Sequence, residues 1–293
     1  MSQAVSAVSA TSGIELRDLG QSYILRDAGK KSEFVALAHF NLQIKAGEFV
    51  AIVGPSGCGK STLLDIVSGL AKPKQGEILI DGRTVSGPDL DRGFIMQGYA
   101  LFPWRTVRKN VEYGLEVKGV PKRERPEICR HFIHMVGLSG FENRYPNQLS
   151  GGMRQRVAIA RALAFDPKIL LMDEPFAAVD AQTRETLQDE LMQIWAKTGK
   201  TVLFVTHSID EAVLLADRVV VMGTRPGRVY QTLAIDLPRP RTAAGMRVSA
   251  EFGWITRKVW ELLQEGQGYM TPETTPKTSV SDVAEQISAQ VSL

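Results

Sequence analysis

Cysteine is nearly absent: Cys58 and Cys129 are the two in 293 residues. No disulfide framework can be built from them, and a reducing compartment is the expectation. No stretch offers the about 18 consecutive apolar residues that a membrane-crossing helix needs. The opening MSQAVSAVSATSG has neither a basic stretch nor a long apolar one, so no secretory leader is expected. Charge of one sign is also scarce. The 35 basic and 32 acidic side chains leave +3, too little to argue for nucleic acid as a partner. Internal repeats and sustained heptads are missing as well. What remains, 44% hydrophobic and 23% charged, is an ordinary soluble composition, and the expectation is a cytoplasmic protein.

Short apolar runs recur instead. IELRDLGQSYIL (14–25) reads as a strand, with the polar RDAGKKSE after it as a hairpin loop. FNLQI (40–44) and EFVAIVG (48–54) follow around the turn KAGE. FVAIV is apolar throughout, as suits a strand covered on both faces. STLLDIVSGL (61–70) has helical spacing and closes at KPKQGE, and EILIDG is another strand. Charged helical pieces fill 105–148, and with the helix from Met153 to Phe165 they predict a helical subdomain over about 105–165. KILLMDEP and TVLFVTH are further buried strands. RETLQDELMQIWAKTG between them is an amphipathic helix with Leu187, Leu191, Ile194 and Trp195 on one face. DEAVLLA is a short helix, and DRVVVMG and RVYQTLAIDL are the last strands.

Alternating strands and helices predict an α/β fold with a mostly parallel core sheet covered on both sides, an N-terminal antiparallel β piece and the helical subdomain. The main domain spans 14–237, and a helical extension with AEFGWITRKVWELLQEG spans 238–267. The small, polar segments 1–13 and 268–293 are expected to be disordered.

GPSGCGKST matches the phosphate-cradling pattern G-x-x-x-x-G-K-[ST], with a buried strand before it and a helix after it. Gly54, Pro55, Ser56, Gly57, Cys58, Gly59, Lys60, Ser61 and Thr62 form this loop. Its backbone amides and the helix N-terminus favour phosphate; Lys60 reaches the outer phosphates and Ser61 ligates Mg²⁺. ILLMDEP is an apolar strand ending in two carboxylates. Asp173 suits the Mg²⁺ side of such a site, and Glu174 suits a general base for an attacking water. TVLFVTH ends in His207, at the edge where open α/β sheets bind ligands.

LSGGM (149–153) puts a serine and two glycines ahead of a helix, whose first amides and dipole favour an anion. A helical subdomain separates it from the phosphate loop, so both serve one nucleotide most simply across a head-to-tail dimer.

With LSGGMRQR beside the phosphate loop, residues 14–235 resemble the ATP-binding subunits of ABC transporters. That resemblance implies a P-loop NTPase core and an ATP- and Mg²⁺-dependent ATPase coupled to transport. It implies that Ser150, Gly151 and Gly152 contact the γ-phosphate held by the partner subunit. Gln97, in FIMQGYALFPW, falls where the family has a glutamine that senses Mg²⁺ and the attacking water. AAVDAQ matches the loop whose aspartate, Asp180, faces the partner site; Val179 replaces the usual leucine. Tyr23 is the aromatic assigned to adenine, with Phe34 as an alternative, because RDAGKKSE sets Tyr23 farther upstream than is usual. ALFPWRTVRKNVEYGLEVKGV and TRPGRVYQTLAIDLPRPR are similar to importer subunits for nitrate, sulfonate, taurine and related anions. In the family, a helix of the membrane subunit docks after the glutamine loop. Phe102, Pro103 and Trp104 are then docking residues, or, for Phe102 and Trp104, part of the subdomain core.

The implied partners are a second copy of the chain, transmembrane permease subunits and, indirectly, a substrate-binding protein, with no nucleic acid. The implied location is peripheral, at the cytoplasmic face of the inner membrane. The rival is a soluble ATPase of the same fold acting on nucleic acid or the ribosome. Such proteins usually carry a long coiled coil or two cassettes in one chain, and this sequence has one phosphate loop and a short insertion.

Overall fold

In the computed structural model, residues 12–27, 30–224 and 226–267 are described. Two sheets lie against each other. The first is antiparallel: β1 (Ser12–Asp27), β2 (Lys30–Lys45), β4 (Gln75–Ile80) and β5 (Arg83–Thr84), in the order β2-β1-β4-β5. The second contains β3 (Phe49–Val53), β6 (Arg92–Ile95), β7 (Ile169–Asp173), β8 (Thr201–Thr206), β9 (Arg218–Gly223) and β10 (Arg228–Ala234). Its order is β10-β9-β3-β8-β7-β6, and every pair is parallel except β9 with β10.

Side-chain alternation divides the interior into two cores. Phe49, Ala51 and Val53 of β3 join one core with Leu170, Met172, Val202 and Phe204. Val50 and Ile52 join the other with Leu171, Leu203, Val205 and the first sheet's Ile14, Leu16 and Phe40. Each β3 residue is therefore buried, and a five-residue run without a polar position follows from being covered on both faces.

α2 (Val107–Val117), α3 (Arg125–Met135) and α4 (Gly151–Ala164) are the helices of the segment between β6 and β7. α1 (Lys60–Ser68), α5 (Ala181–Thr198) and α6 (Ile209–Leu215) belong to the core sheet. α7 (Ala243–Arg247) and α8 (Ala250–Gly266) form the C-terminal extension. α8 buries Ile255, Val259, Leu262 and Leu263, one helical stripe. Arg239 and Arg241 strap the extension down. Arg241 is 4% exposed and donates to the carbonyls of Val213, Ala216, Ile235 and Leu237. Arg239 bonds Asp217 and lies over the Trp195 ring, 4.4 Å from its centroid.

Three expectations change. RDAGKKSE is not a loop throughout: β1 runs to Asp27 and β2 starts at Lys30, with Arg26 paired to Lys31. Exposed paired strands need no apolar alternation, so polar residues hide them. β6 was not foreseen; Arg92 starts it and its pairing to Ile169 defines it. The segment expected to be disordered at 1–13 loses Ser12 and Gly13 to β1. Residues 1–11 and 268–293 lie outside the described residues.

Candidate functional site

Parallel strands end at one edge, and the order β3-β8-β7-β6 decides which loops become neighbours. β3 delivers the phosphate loop, β8 delivers His207, β7 delivers Asp173 and Glu174, and β6 leads to Gln97. Residues far apart in sequence thus meet at the carboxyl edge.

The phosphate loop depends on Gly59, which caps α1 with φ 99°. A Cβ there would stand 2.8 Å from Leu37 Cδ2 and 2.9 Å from the Ala36 carbonyl, so the left-handed backbone and the close approach both require glycine. Lys60 is 7% exposed. Its Nζ donates to the carbonyls of Gly54 at 2.8 Å and Pro55 at 3.0 Å and lies 3.9 Å from Cys58 Sγ. The ammonium is folded over its own loop. Burial raises the Cys58 thiol, which disfavours the thiolate.

Glu174 has φ 44°, a left-handed backbone that costs a non-glycine residue about 1–2 kcal/mol. Its amide donates to the Val205 carbonyl at 2.9 Å, which holds the turn against β8. Two groups converge on its Oε2: Gln97 Nε2 donates at 3.2 Å, and His207 Nδ1 lies 3.2 Å away. Asp173 accepts a hydrogen bond from Ser61, and its carboxyl is raised, first by burial and then by Glu174 and Asp65. Lys60, Ser61, Gln97, Asp173, Glu174 and His207 are therefore brought to one edge.

Ser150 and Asp180 occupy helix starts of their own. Ser150 caps α4 by accepting from the Met153 amide at 3.3 Å, and Asp180 caps α5 by accepting from the Thr183 amide at 3.0 Å. Gly151 and Gly152 are the first two residues of α4; a Cβ on Gly152 would collide with the Thr183 side chain, so α4 begins tightly against α5.

Tyr23 and Phe34 are direct partners across β1 and β2, and 39% and 41% exposed. Trp104 is 72% exposed, which removes it from the subdomain core. Phe102 is half-buried between Trp104 and Tyr113, with ring centroids 5.7 and 4.8 Å away. Buried Asn110 fixes this loop, accepting from the Phe102 amide at 2.9 Å and donating to the Arg105 carbonyl at 3.0 Å.

Several supporting residues escaped the sequence reading. Arg161 of α4 donates to the carbonyls of Tyr99 at 2.9 Å and Ala100 at 2.6 Å, clamping the loop after Gln97. Tyr99 reaches the Ala178 carbonyl at 3.3 Å. Glu211 is 7% exposed and accepts from Thr206 Oγ1 at 2.7 Å. The spacing S-x-x-E at Ser208 and Glu211 is the signal that marks this helix start. Ser208 accepts from the Glu211 amide at 3.3 Å, but the Glu211 carboxylate turns to Thr206 instead of back to Ser208.

The ABC transporter family matches residues 37–177. An uncharacterized ABC transporter ATP-binding protein of Methanocaldococcus jannaschii is 59% identical over 230 residues, 78% of this chain and 85% of its own. The nitrate import ATP-binding protein NrtD of Synechocystis is 48% identical, over 77% of this chain and 83% of its own. The taurine import ATP-binding protein TauB of Roseobacter denitrificans is 43% identical, over 80% and 90%. Among solved structures, a dimeric post-hydrolysis form of the ATP-binding cassette MJ0796, bound to ADP and phosphate, superposes with a TM-score of 0.67. It is 37% identical and covers 77% of this chain and all of its own. An α/β fold, a phosphate-loop motif and the LSGGM helix start in one chain, together with these relatives, place the protein in the ABC transporter family, among its ATP-binding ATPase chains.

Proposed function

We propose that two copies of this chain close head to tail over two ATP molecules and use hydrolysis to drive a separate membrane permease that imports a small anion. The observation that carries this reading is the convergence of Gln97 and His207 on one oxygen of Glu174, beside the phosphate loop. A base positioned by two neighbours suits attack of water on a phosphoryl group.

Each site takes Lys60, Ser61, Gln97, Asp173, Glu174 and His207 from one chain. The partner subunit's Ser150, Gly151 and Gly152 cover the γ-phosphate, and the partner subunit's Asp180 faces the same site. Tyr23 stacks on adenine, and Phe34, opposite it on the same strand pair, extends the aromatic surface. Lys60 leaves the carbonyls of Gly54 and Pro55 for the outer phosphates. The Ser61 hydroxyl donates to the Asp173 carboxyl, an oxygen pair of the kind that suits a hard cation. Ser61 and Asp173, with Gln97, would hold Mg²⁺, which neutralises phosphate charge. In hydrolysis the water oxygen bonds to the γ-phosphorus, the bond to ADP breaks with its electron pair on the departing oxygen, and Glu174 takes the water's proton. His207 orients Glu174 and contacts the transferring phosphoryl.

Among the described residues no helix is long and apolar enough to cross a membrane, so transport on this reading needs a permease partner. Exposed Trp104, with Phe102, Pro103 and Tyr113, offers the docking patch. The import names of relatives at 48% (nitrate), 45% (aliphatic sulfonates) and 43% identity (taurine) support a nitrate-, sulfonate- or taurine-type anion as cargo. The chain would then sit on the cytoplasmic face of the inner membrane, with a substrate-binding protein reached through the permease.

The test is recovery of the tagged chain from detergent-solubilised membranes, with partners identified by mass spectrometry. A polytopic membrane protein in comparable amount is expected, and Trp104→Ala should lower its recovery. Recovery of ribosomal or nucleic-acid-bound proteins alone would overturn the transport reading.

A further inference from the structure

The loop bearing His207 and the loop bearing Asp180 are joined by one chain of side chains. Glu211, 7% exposed, is the centre. Its Oε2 accepts from Thr206 Oγ1 at 2.7 Å, and Thr206 Oγ1 itself accepts from the Ser208 amide at 3.0 Å. A single hydroxyl thus ties the residues on both sides of His207. The other Glu211 oxygen accepts from buried Gln188 Nε2 at 3.3 Å and lies 3.9 Å from Arg184 Nε. That last separation is too long for a hydrogen bond, so the Arg184 link acts through charge. Arg184 Nη2 then donates to the Val179 carbonyl at 2.9 Å, one residue before Asp180.

Helical spacing makes the link possible. Asp180 caps α5, and Arg184 and Gln188 lie four residues apart on that helix. Arg184, Thr206, Ser208 and Glu211 also border a cavity of 40 Å³ together with Glu174 and His207. A void of that size holds about one water, so displacement of the link is felt directly at the two proposed catalytic side chains.

We propose that Thr206, Glu211 and Arg184 are positioning residues that couple the Asp180 loop to His207, so that arrival of the partner subunit at Asp180 locks the imidazole in the place beside Glu174 that it already takes. This rests on the dimeric reading above. Closure at Asp180 moves the Val179 carbonyl, Arg184 follows it, and Glu211 transmits the change to the hydroxyl that frames His207. In the separated chain the link keeps the histidine loop in one arrangement while its side chain stays 65% exposed.

The test uses the full chain. Thr206→Val keeps the branched shape of a buried strand residue and removes the hydroxyl; Thr206→Ser keeps the hydroxyl. Thr206→Val and Arg184→Met should each lower kcat for ATP about ten- to a hundredfold, with KM and nucleotide affinity within about twofold of the parent. Thr206→Ser should turn over near the parent rate. The double variant Arg184→Met/Thr206→Val should be no slower than either single variant, because both cut one link. The ring-nitrogen NMR shifts of His207, one of only four histidines, should move in Thr206→Val and not in Thr206→Ser. Parental kcat in both Thr206→Val and Arg184→Met, or losses that multiply in the double variant, would overturn the coupling. A lowered Tm with unchanged kcat per folded chain would do the same. Glu174→Gln, run alongside, separates the failures: inactive Glu174→Gln beside fully active Thr206→Val and Arg184→Met sinks the coupling alone, whereas fully active Glu174→Gln sinks the site reading beneath it.

Discussion

His207 Nδ1 stands 3.2 Å from Glu174 Oε2, although the two are 33 positions apart in sequence with a whole helix between them. The adjacency of β7 and β8 in the sheet creates the contact. With Gln97 on the same oxygen, Glu174 is held from two sides. His207→Ala should slow turnover about a hundredfold while ATP affinity changes by less than about twofold. Phosphate release and fluorescent-nucleotide titration measure the two quantities separately, and equal losses in both would point to a binding role.

Ser150 has a structural task and a proposed catalytic one, and substitution can part them. It caps α4 through the Met153 amide. Ser150→Ala should cost about 1 kcal/mol of stability together with turnover. Ser150→Asp keeps an acceptor for the cap but brings negative charge toward the partner's phosphate. Thermal melts should therefore recover in the aspartate variant while hydrolysis stays lost.

Asp173 gives a pH signature. Its folded-state carboxyl is raised, chiefly by burial. A raised acid contributes stability below its unfolded pKa and loses that contribution as pH rises through the folded pKa. At neutral pH the parent therefore carries the cost of an ionised, partly buried carboxylate. Asp173→Asn should melt higher than the parent at neutral pH without nucleotide. That advantage should shrink as pH falls through the carboxylate range. Melting curves across pH check it; a lower Tm for Asp173→Asn at neutral pH would contradict it.

Arg241 concerns the fold alone. Burial pulls its pKa down to about 10, still charged at neutral pH, and its guanidinium serves four carbonyls. Arg241→Met leaves those carbonyls buried and short of a donor, so a loss of about 3 kcal/mol is expected in denaturant titration. Nucleotide affinity of the folded fraction should stay at the parental value.

The sequence was most informative where burial is two-sided. FVAIV, ILLMD and TVLFVT are legible as core strands because both faces of each strand are covered, and the loops after them hold the phosphate motif, the carboxylates and His207. β6 was missed because its four residues include an arginine and a glycine and only pairing with β7 makes it a strand. The ends of β1 and β2 were missed because they pair beyond the core, where polar residues suffice. Resemblance placed Gln97, Ser150 and Asp180. Arg161, Arg184 and Glu211 were out of reach for another reason. Their partners Tyr99, Glu211 and Gln188 lie 62, 27 and 23 positions away, and only the tertiary packing brings them together.

Glu174→Gln with Mg²⁺ and ATP, weighed by light scattering after gel filtration, tests the central claim most directly. The account predicts turnover reduced at least about a hundredfold with ATP binding intact, and a mass that doubles from the 32.2 kDa monomer only when ATP is present. A variant that hydrolyses ATP at the parental rate, or that binds ATP and stays monomeric at every concentration, would contradict it.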